Sequence, residues 1–145
     1  LIYHEMSPDD VDAAVYWPRA SVGSDAGIRT PVMDARPHPR GMGTFPKFIA
    51  RYVRDGELPL AEAVRRLTGL PAEEFRLPDR GTLRPGAWAD IVVFDLESIA
   101  DKATYEDPLA PPVGIRHVVV NGEPVIEDGL ETKRYPGRFI PRAKR

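Results

Sequence analysis

The residues with chemistry to offer gather between Ala20 and Gly43. Ala20-Ser21-Val22-Gly23-Ser24-Asp25-Ala26-Gly27 is a run of small residues that contains one acid, and a stretch rich in proline and glycine follows, closing with Arg36-Pro37-His38-Pro39-Arg40-Gly41-Met42-Gly43. One carboxylate, one imidazole and one guanidinium are thus carried on backbone stiffened by Pro31, Pro37 and Pro39 and freed for sharp turns at Gly27, Gly41 and Gly43. Asp25 can serve as a general base or a metal ligand; an acid at a strand end also commonly caps loop backbone. His38 can be a ligand, a substrate contact or a loop brace. Arg40 is suited to grip a carboxylate with paired donors, or simply to pin its loop. His4 and His117 sit in or beside apolar runs and read as structural.

These groups need elements to place them. Leu1–His4 is an apolar run that predicts a short strand. Ser7-Pro8-Asp9-Asp10 predicts a helix start, with Ser7 as cap, proline at the first position and an acid where a capping box wants one. Val11, Ala14 and Val15 give that helix a short apolar face, and Trp17-Pro18 ends it. Residues 20–24 predict a buried strand with Asp25 at its C-terminal end, where parallel α/β folds build active sites. Thr44 is placed to cap a second helix carrying Phe48, Ile49, Tyr52 and Val53. A third helix is expected from about Pro59, with Leu60, Val64 and Leu67 buried and Arg65 and Arg66 outward. Pro71-Ala72-Glu73-Glu74 opens a last helical turn.

The texture changes at Arg80-Gly81. Pro85-Gly86 predicts a type II turn. Residues 89–95 read as a strand that Asp90 and Asp95 terminate. His117 to Ile126 places Asn121-Gly122 between two apolar runs, the pattern of a type I′ hairpin. Phe139-Ile140 predicts one more short strand, and Arg142–Arg145 a frayed basic tail.

The totals narrow the function classes. With 42% apolar and 29% charged residues, the chain is composed like a folded globular protein. A net charge of −2 gives no reason to expect nucleic acid or an anionic membrane as partner. The absence of cysteine excludes disulfides and thiolate zinc sites, and is compatible with a reducing cytoplasm. No phosphate loop, His-Glu-x-x-His pattern or Gly-x-Ser-x-Gly elbow is present. The first residue is Leu1 rather than Met, which predicts a truncated chain.

Gly23-Ser24-Asp25, the stretch His38-Pro39-Arg40-Gly41-Met42-Gly43-Thr44-Phe45-Pro46, and Tyr52-Val53-Arg54 resemble the N-acyl-D-amino-acid deacylases (D-aminoacylases) of the amidohydrolase superfamily. Ala63-Val64-Arg65, Asp79-Arg80-Gly81, residues 89–95, residues 103–108 and Val120-Asn121-Gly122 follow in family order. Residues 89–95 and 120–122 are shared across the superfamily; the His38–Pro46 stretch is what points to the deacylase branch.

The resemblance implies an α/β fold: the C-terminal part of a (β/α)8 barrel over residues 1–78, then the C-terminal strands of a small β-sandwich over 79–145. It implies zinc-dependent hydrolysis of the linear amide of N-acyl-D-amino acids. In that chemistry the metal lowers the pKa of a bound water, and Asp25 takes the water's proton and passes it to the leaving amine. Asp25 is also a weaker candidate for metal ligand, and Ser24 and Arg40 are implied to help place the substrate. The family's His-x-His pair is missing from these residues, so the chain is expected to be a C-terminal piece, inactive alone, with the remaining zinc ligands elsewhere. Two other readings stay open. One is a cyclic amidase of the hydantoinase or dihydroorotase kind; the other is a non-catalytic module that pairs through its β part.

Overall fold

The computed structural model describes residues 6–27 and 37–141. The strand expected at Leu1–His4, His4 itself, Pro31 and the tail Arg142–Arg145 lie outside the described residues.

Helix α1 spans Pro8–Tyr16, and its start follows from the local sequence. The Ser7 hydroxyl accepts the Asp10 N–H at 3.1 Å and donates to the Asp10 carboxylate at 2.8 Å. Trp17, extended before Pro18, closes the helix. Residues 20–24 form no strand, because a strand needs a neighbour to complete its ladder and none of the described residues pairs there.

Helix α2 runs over Arg40–Ile49 and continues through a π-turn, Ala50–Arg54. It begins four residues before the expected cap. Thr44 is inside it, and its hydroxyl donates back to the Arg40 carbonyl at 2.9 Å. Pro39, already in helical geometry, starts the coil instead. Gly43 is helical for a packing reason: a Cβ there would overlap the Asp101 carboxylate.

Helices α3 (Leu60–Leu67) and α4 (Gly69–Phe75) follow, separated at Thr68. The buried face of α3 differs from the expected stripe. Leu60 and Val64 are exposed, whereas Ala63 is fully buried and Arg66 is only 4% exposed. The small Ala63 lets α3 pack closely, and the Arg66 guanidinium crosses to the Val15 carbonyl in the last turn of α1. Arg65 does the same for the Pro18 carbonyl at 3.0 Å. Carbonyls at a helix end have no partner within the helix, so Arg66 closes the end of α1 while Arg65 pins the turn just beyond it. Glu62 holds both guanidinium groups at 2.7 Å.

The second half is a four-stranded antiparallel meander in the order β1 (Ile91–Phe94), β2 (Ile115–Val120), β3 (Glu123–Glu127) and β4 (Leu130–Glu131). The hairpin turns at Asn121-Gly122 with φ of 50° and 86°, as a type I′ turn requires. Asp90 accepts the Asn121 N–H at 2.8 Å, and Arg80, stacked over Trp88, joins Asp90 to the Asn121 side chain. Asp95 accepts from the Glu97 N–H and the Ser98 hydroxyl just after β1. Both acids that bracket β1 are therefore occupied in holding turns. The final strand is β4 rather than Phe139-Ile140; Phe139 is exposed.

One apolar cluster joins the helices to the sheet. Phe48, Ile49, Tyr52, Leu58 and Ala63 from the helical part surround Ile99, and Phe94, Leu96 and Ile115 pack on the edge. The Arg54 guanidinium donates to the Ile99 carbonyl at 2.7 Å across the same junction.

Glu62 supplies a pH test of the α1–α3 contact. The hydrogen bonds from Arg65, then Arg66, pull its carboxyl from an ordinary 4.5 to about 2. A folded pKa below the unfolded one means that stability is fully present above pH 4.5 and is lost as pH falls toward about 2. Urea midpoints measured across that window should fall less steeply for Glu62→Gln than for the parent chain. Equal slopes would show that Glu62 is not paired with Arg65 and Arg66 in the folded chain.

Candidate active site

Asp25 stands at a sharp corner. Its φ of 50° is left-handed, a conformation aspartate tolerates better than most residues. Next to it, the Ser24 hydroxyl accepts the Ala26 N–H at 3.3 Å, which fixes the loop just beyond the acid. Ala26 in turn lies against the first turn of α2, where a Cβ on Gly41 would meet its own Cβ at 3.6 Å. The 88% exposed Asp25 carboxylate therefore projects beside the N-terminus of α2, and Arg40 Nη1 reaches its Oδ2 at 3.0 Å.

The start of α2 lacks a Ser, Thr, Asp or Asn cap. His38 takes that part: its Nδ1 accepts the Arg40 backbone N–H at 3.0 Å. Nε2 lies 3.2 Å from the Tyr105 hydroxyl, and the two rings meet edge to face with centroids 5.2 Å apart. Of the three readings open for His38, the geometry describes a brace, with both ring nitrogens engaged. Ser24, Asp25, His38 and Arg40 are thus brought together. His117 is on β2, where its Nδ1 accepts the Asp128 N–H at 3.3 Å.

Tyr105 was not legible as a member of this group. It belongs to the family-like segment 103–108, but its partner is 67 residues away in sequence. Asp12 is a second such case. It accepts from Arg51 at 2.9 Å and from the Tyr52 hydroxyl at 2.7 Å, in a cleft of about 620 Å3 bordered by Tyr16, Lys47 and Asp101. Burial first, and then the bond to Asp12, push the Tyr52 hydroxyl up to about 12, so it stays protonated. Asp12 is thus committed to Arg51 and Tyr52.

Among the described residues, no three His, Cys, Asp or Glu side chains converge as a metal site. Zinc takes three or four protein ligands, so the described residues do not make a zinc site by themselves; Asp25 can supply one ligand at most.

Residues 19–126 match the amidohydrolase family. The chain belongs to that family. It is 44% identical over 142 residues to the N-acyl-D-glutamate deacylase of Alcaligenes xylosoxydans xylosoxydans, a match covering 97% of this chain and 28% of that protein. The crystal structure of a D-aminoacylase superposes with a TM-score of 0.86 at 43% identity, covering 94% of this chain and 28% of the other. The N-acyl-D-glutamate deacylase from Bordetella bronchiseptica, solved with zinc and a phosphonate mimic of the tetrahedral intermediate, superposes with a TM-score of 0.76 at 47% identity, covering 83% and 25%. The α/β fold is therefore that of the matching part of an amidohydrolase, and the chain spans about a quarter of the length of the relatives it matches. No helix among the described residues is long and apolar enough to cross a membrane.

The His38 contacts fix its tautomer. A nitrogen that accepts a backbone N–H carries no proton, so the neutral ring holds its hydrogen on Nε2 and donates it to Tyr105. Long-range 1H–15N correlation spectra of the neutral form should show the Nε2–H tautomer. An Nδ1–H ring would mean that His38 does not cap α2.

Proposed function

We propose that the complete protein hydrolyses the linear amide bond of N-acyl-D-amino acids, releasing a carboxylate and a D-amino acid, with Asp25 as the proton carrier. The reading is supported chiefly by one juxtaposition: an exposed carboxylate at a left-handed corner, beside the start of α2, in a chain that aligns over 97% of its length with part of a deacylase.

In this reading the Asp25 carboxylate accepts a proton from the water that attacks the amide carbonyl. The C–N bond then breaks, and Asp25 returns the proton to the amine nitrogen as it leaves. Ser24, next to the acid, helps place the substrate. Zinc, when bound, polarises the carbonyl and acidifies water; the described residues do not make its site, and its ligands are proposed to belong to other parts of the complete protein. The 145-residue chain is accordingly proposed to be inactive alone. Residues 1–78 are read as the barrel part and 79–145 as the β-sandwich part. The partner is the small N-acyl-D-amino acid, with neither nucleic acid nor membrane involved, and the cysteine-free composition supports a cytoplasmic setting.

The aligned length favours the deacylase over a cyclic amidase, because the match includes the His38–Pro46 stretch as well as the segments shared by the superfamily. In the complete protein supplied with zinc and N-acetyl-D-glutamate, Asp25→Asn should lower kcat by about 10²- to 10⁴-fold, the usual contribution of a positioned acid–base group. Full activity in that variant would overturn the assignment.

A further inference from the structure

We propose that Tyr105 is a positioning residue for substrate binding, acting through His38 on the backbone at the start of α2. The inference rests on the reading of Asp25 as proton carrier and extends it to a residue that follows β1.

The chemistry of the substrate says where its α-carboxylate lies. In an N-acyl-D-amino acid only the α-carbon separates that carboxylate from the scissile amide nitrogen. If Asp25 returns a proton to the nitrogen, the α-carboxylate comes close to Asp25. The cation at that place is Arg40, whose Nη1 is 3.0 Å from Asp25 Oδ2 in a pair exposed on both sides. An exposed pair of this kind contributes little, so the guanidinium is able to turn from Asp25 to a ligand. What has to be fixed is the backbone from which it turns.

Both polar groups of the Arg40 backbone are held by side chains. Its N–H donates to His38 Nδ1 at 3.0 Å, and its carbonyl accepts the Thr44 hydroxyl at 2.9 Å. Thr44 belongs to α2 and moves with it, whereas His38 lies outside. Pro39, at the cap position, makes no side-chain bond of its own. His38 is set by Tyr105, whose hydroxyl is 3.2 Å from Nε2 and whose ring meets the imidazole edge to face. Tyr105 stands on a turn closed on itself. The Thr104 hydroxyl accepts the N–H groups of Glu106 and Asp107 at 3.2 and 3.0 Å, and the Thr104 N–H donates to the Asp107 carbonyl at 3.0 Å. Just upstream, Asp101 accepts the Ala103 N–H at 2.8 Å and Ile99 is buried in the core. A stiff turn rooted in the core therefore places the imidazole, and the imidazole holds the N–H of the first residue of α2.

An α-carboxylate carries the same charge before and during amide cleavage. A grip on it is equal in ground and transition states, and so it shows in KM rather than in kcat.

The test uses the complete protein loaded with zinc, with N-acetyl-D-glutamate as substrate and thermal unfolding as a check on each variant. Arg40→Ala is expected to raise KM by about 10- to 100-fold, as loss of a charged hydrogen bond does. Tyr105→Phe, which removes only the hydroxyl, should raise KM by about two- to tenfold with kcat unchanged. Added to Arg40→Ala, it should raise KM no further. His38→Asn keeps an acceptor for the Arg40 N–H and removes the ring that meets Tyr105. It should show the KM of Tyr105→Phe, and adding Tyr105→Phe to it should change nothing. If Tyr105→Phe does not fold, His38→Asn decides the matter by the same split.

A Tyr105→Phe variant that melts lower but keeps its KM overturns the positioning role, and so does a KM increase that persists undiminished in the Arg40→Ala background. An unchanged KM in Arg40→Ala overturns it too, since there is then no grip to position. Should Asp25→Asn keep full kcat, the proton-carrier reading fails and the positioning role falls with it. An inactive Asp25→Asn beside an unaltered Tyr105→Phe removes the positioning role alone.

Discussion

The segment from Ile99 to Tyr105 is the constraint on which the rest depends. It leaves the sheet and lies along α2 and its π-turn, touching them at three points. The Ile99 carbonyl takes a bond from Arg54, the Asp101 carboxylate occupies the space that a side chain at position 43 would need, and Tyr105 meets His38. Ile99 is also buried among the helical core residues. These contacts fall just before α2, within it and in the π-turn after it, and they seat the helix whose first residue, Arg40, pairs with Asp25. The sheet thus does more than cover apolar surface: through residues 99–105 it sets the start of the helix that carries half of the candidate site.

Glycine at position 43 shows how such a constraint is written into sequence. A helix interior ordinarily disfavours glycine. Arg40-Gly41-Met42-Gly43 therefore reads locally as loop, and the expected helix start moves to Thr44. The structure reverses this, since close approach by Asp101 is possible only without a Cβ and the lost propensity is offset by the contact. His38, for which a loop brace was one open reading, braces its loop by capping α2. Its capping role replaces the hydroxyl or carboxylate cap that helix-start rules look for.

What was legible is what local rules decide. Ser7 and Trp17-Pro18 bound α1, and Asn121-Gly122 turns the β2–β3 hairpin, because each depends on residues within a few positions. Arg66 was not legible. A helical arginine beside Arg65 reads as solvated until the end of α1, 51 residues away, supplies a carbonyl for it. The strand expected at residues 20–24 fails on the same grounds, since pairing is a property of neighbours. In the site, the placement of Asp25 beside a proline-stiffened loop could be read directly. Its left-handed backbone and its pairing with Arg40 could not, because aspartate adopts either hand of φ and the pairing joins residues on opposite sides of the loop.

The central claim is that Asp25 carries the proton in the complete protein. It is tested most directly by a crystal structure of the complete protein with zinc and a phosphonate mimic of the tetrahedral intermediate. The account predicts that Asp25 hydrogen-bonds a phosphonyl oxygen. A structure in which the Asp25 carboxylate makes no contact with the phosphonate would contradict it.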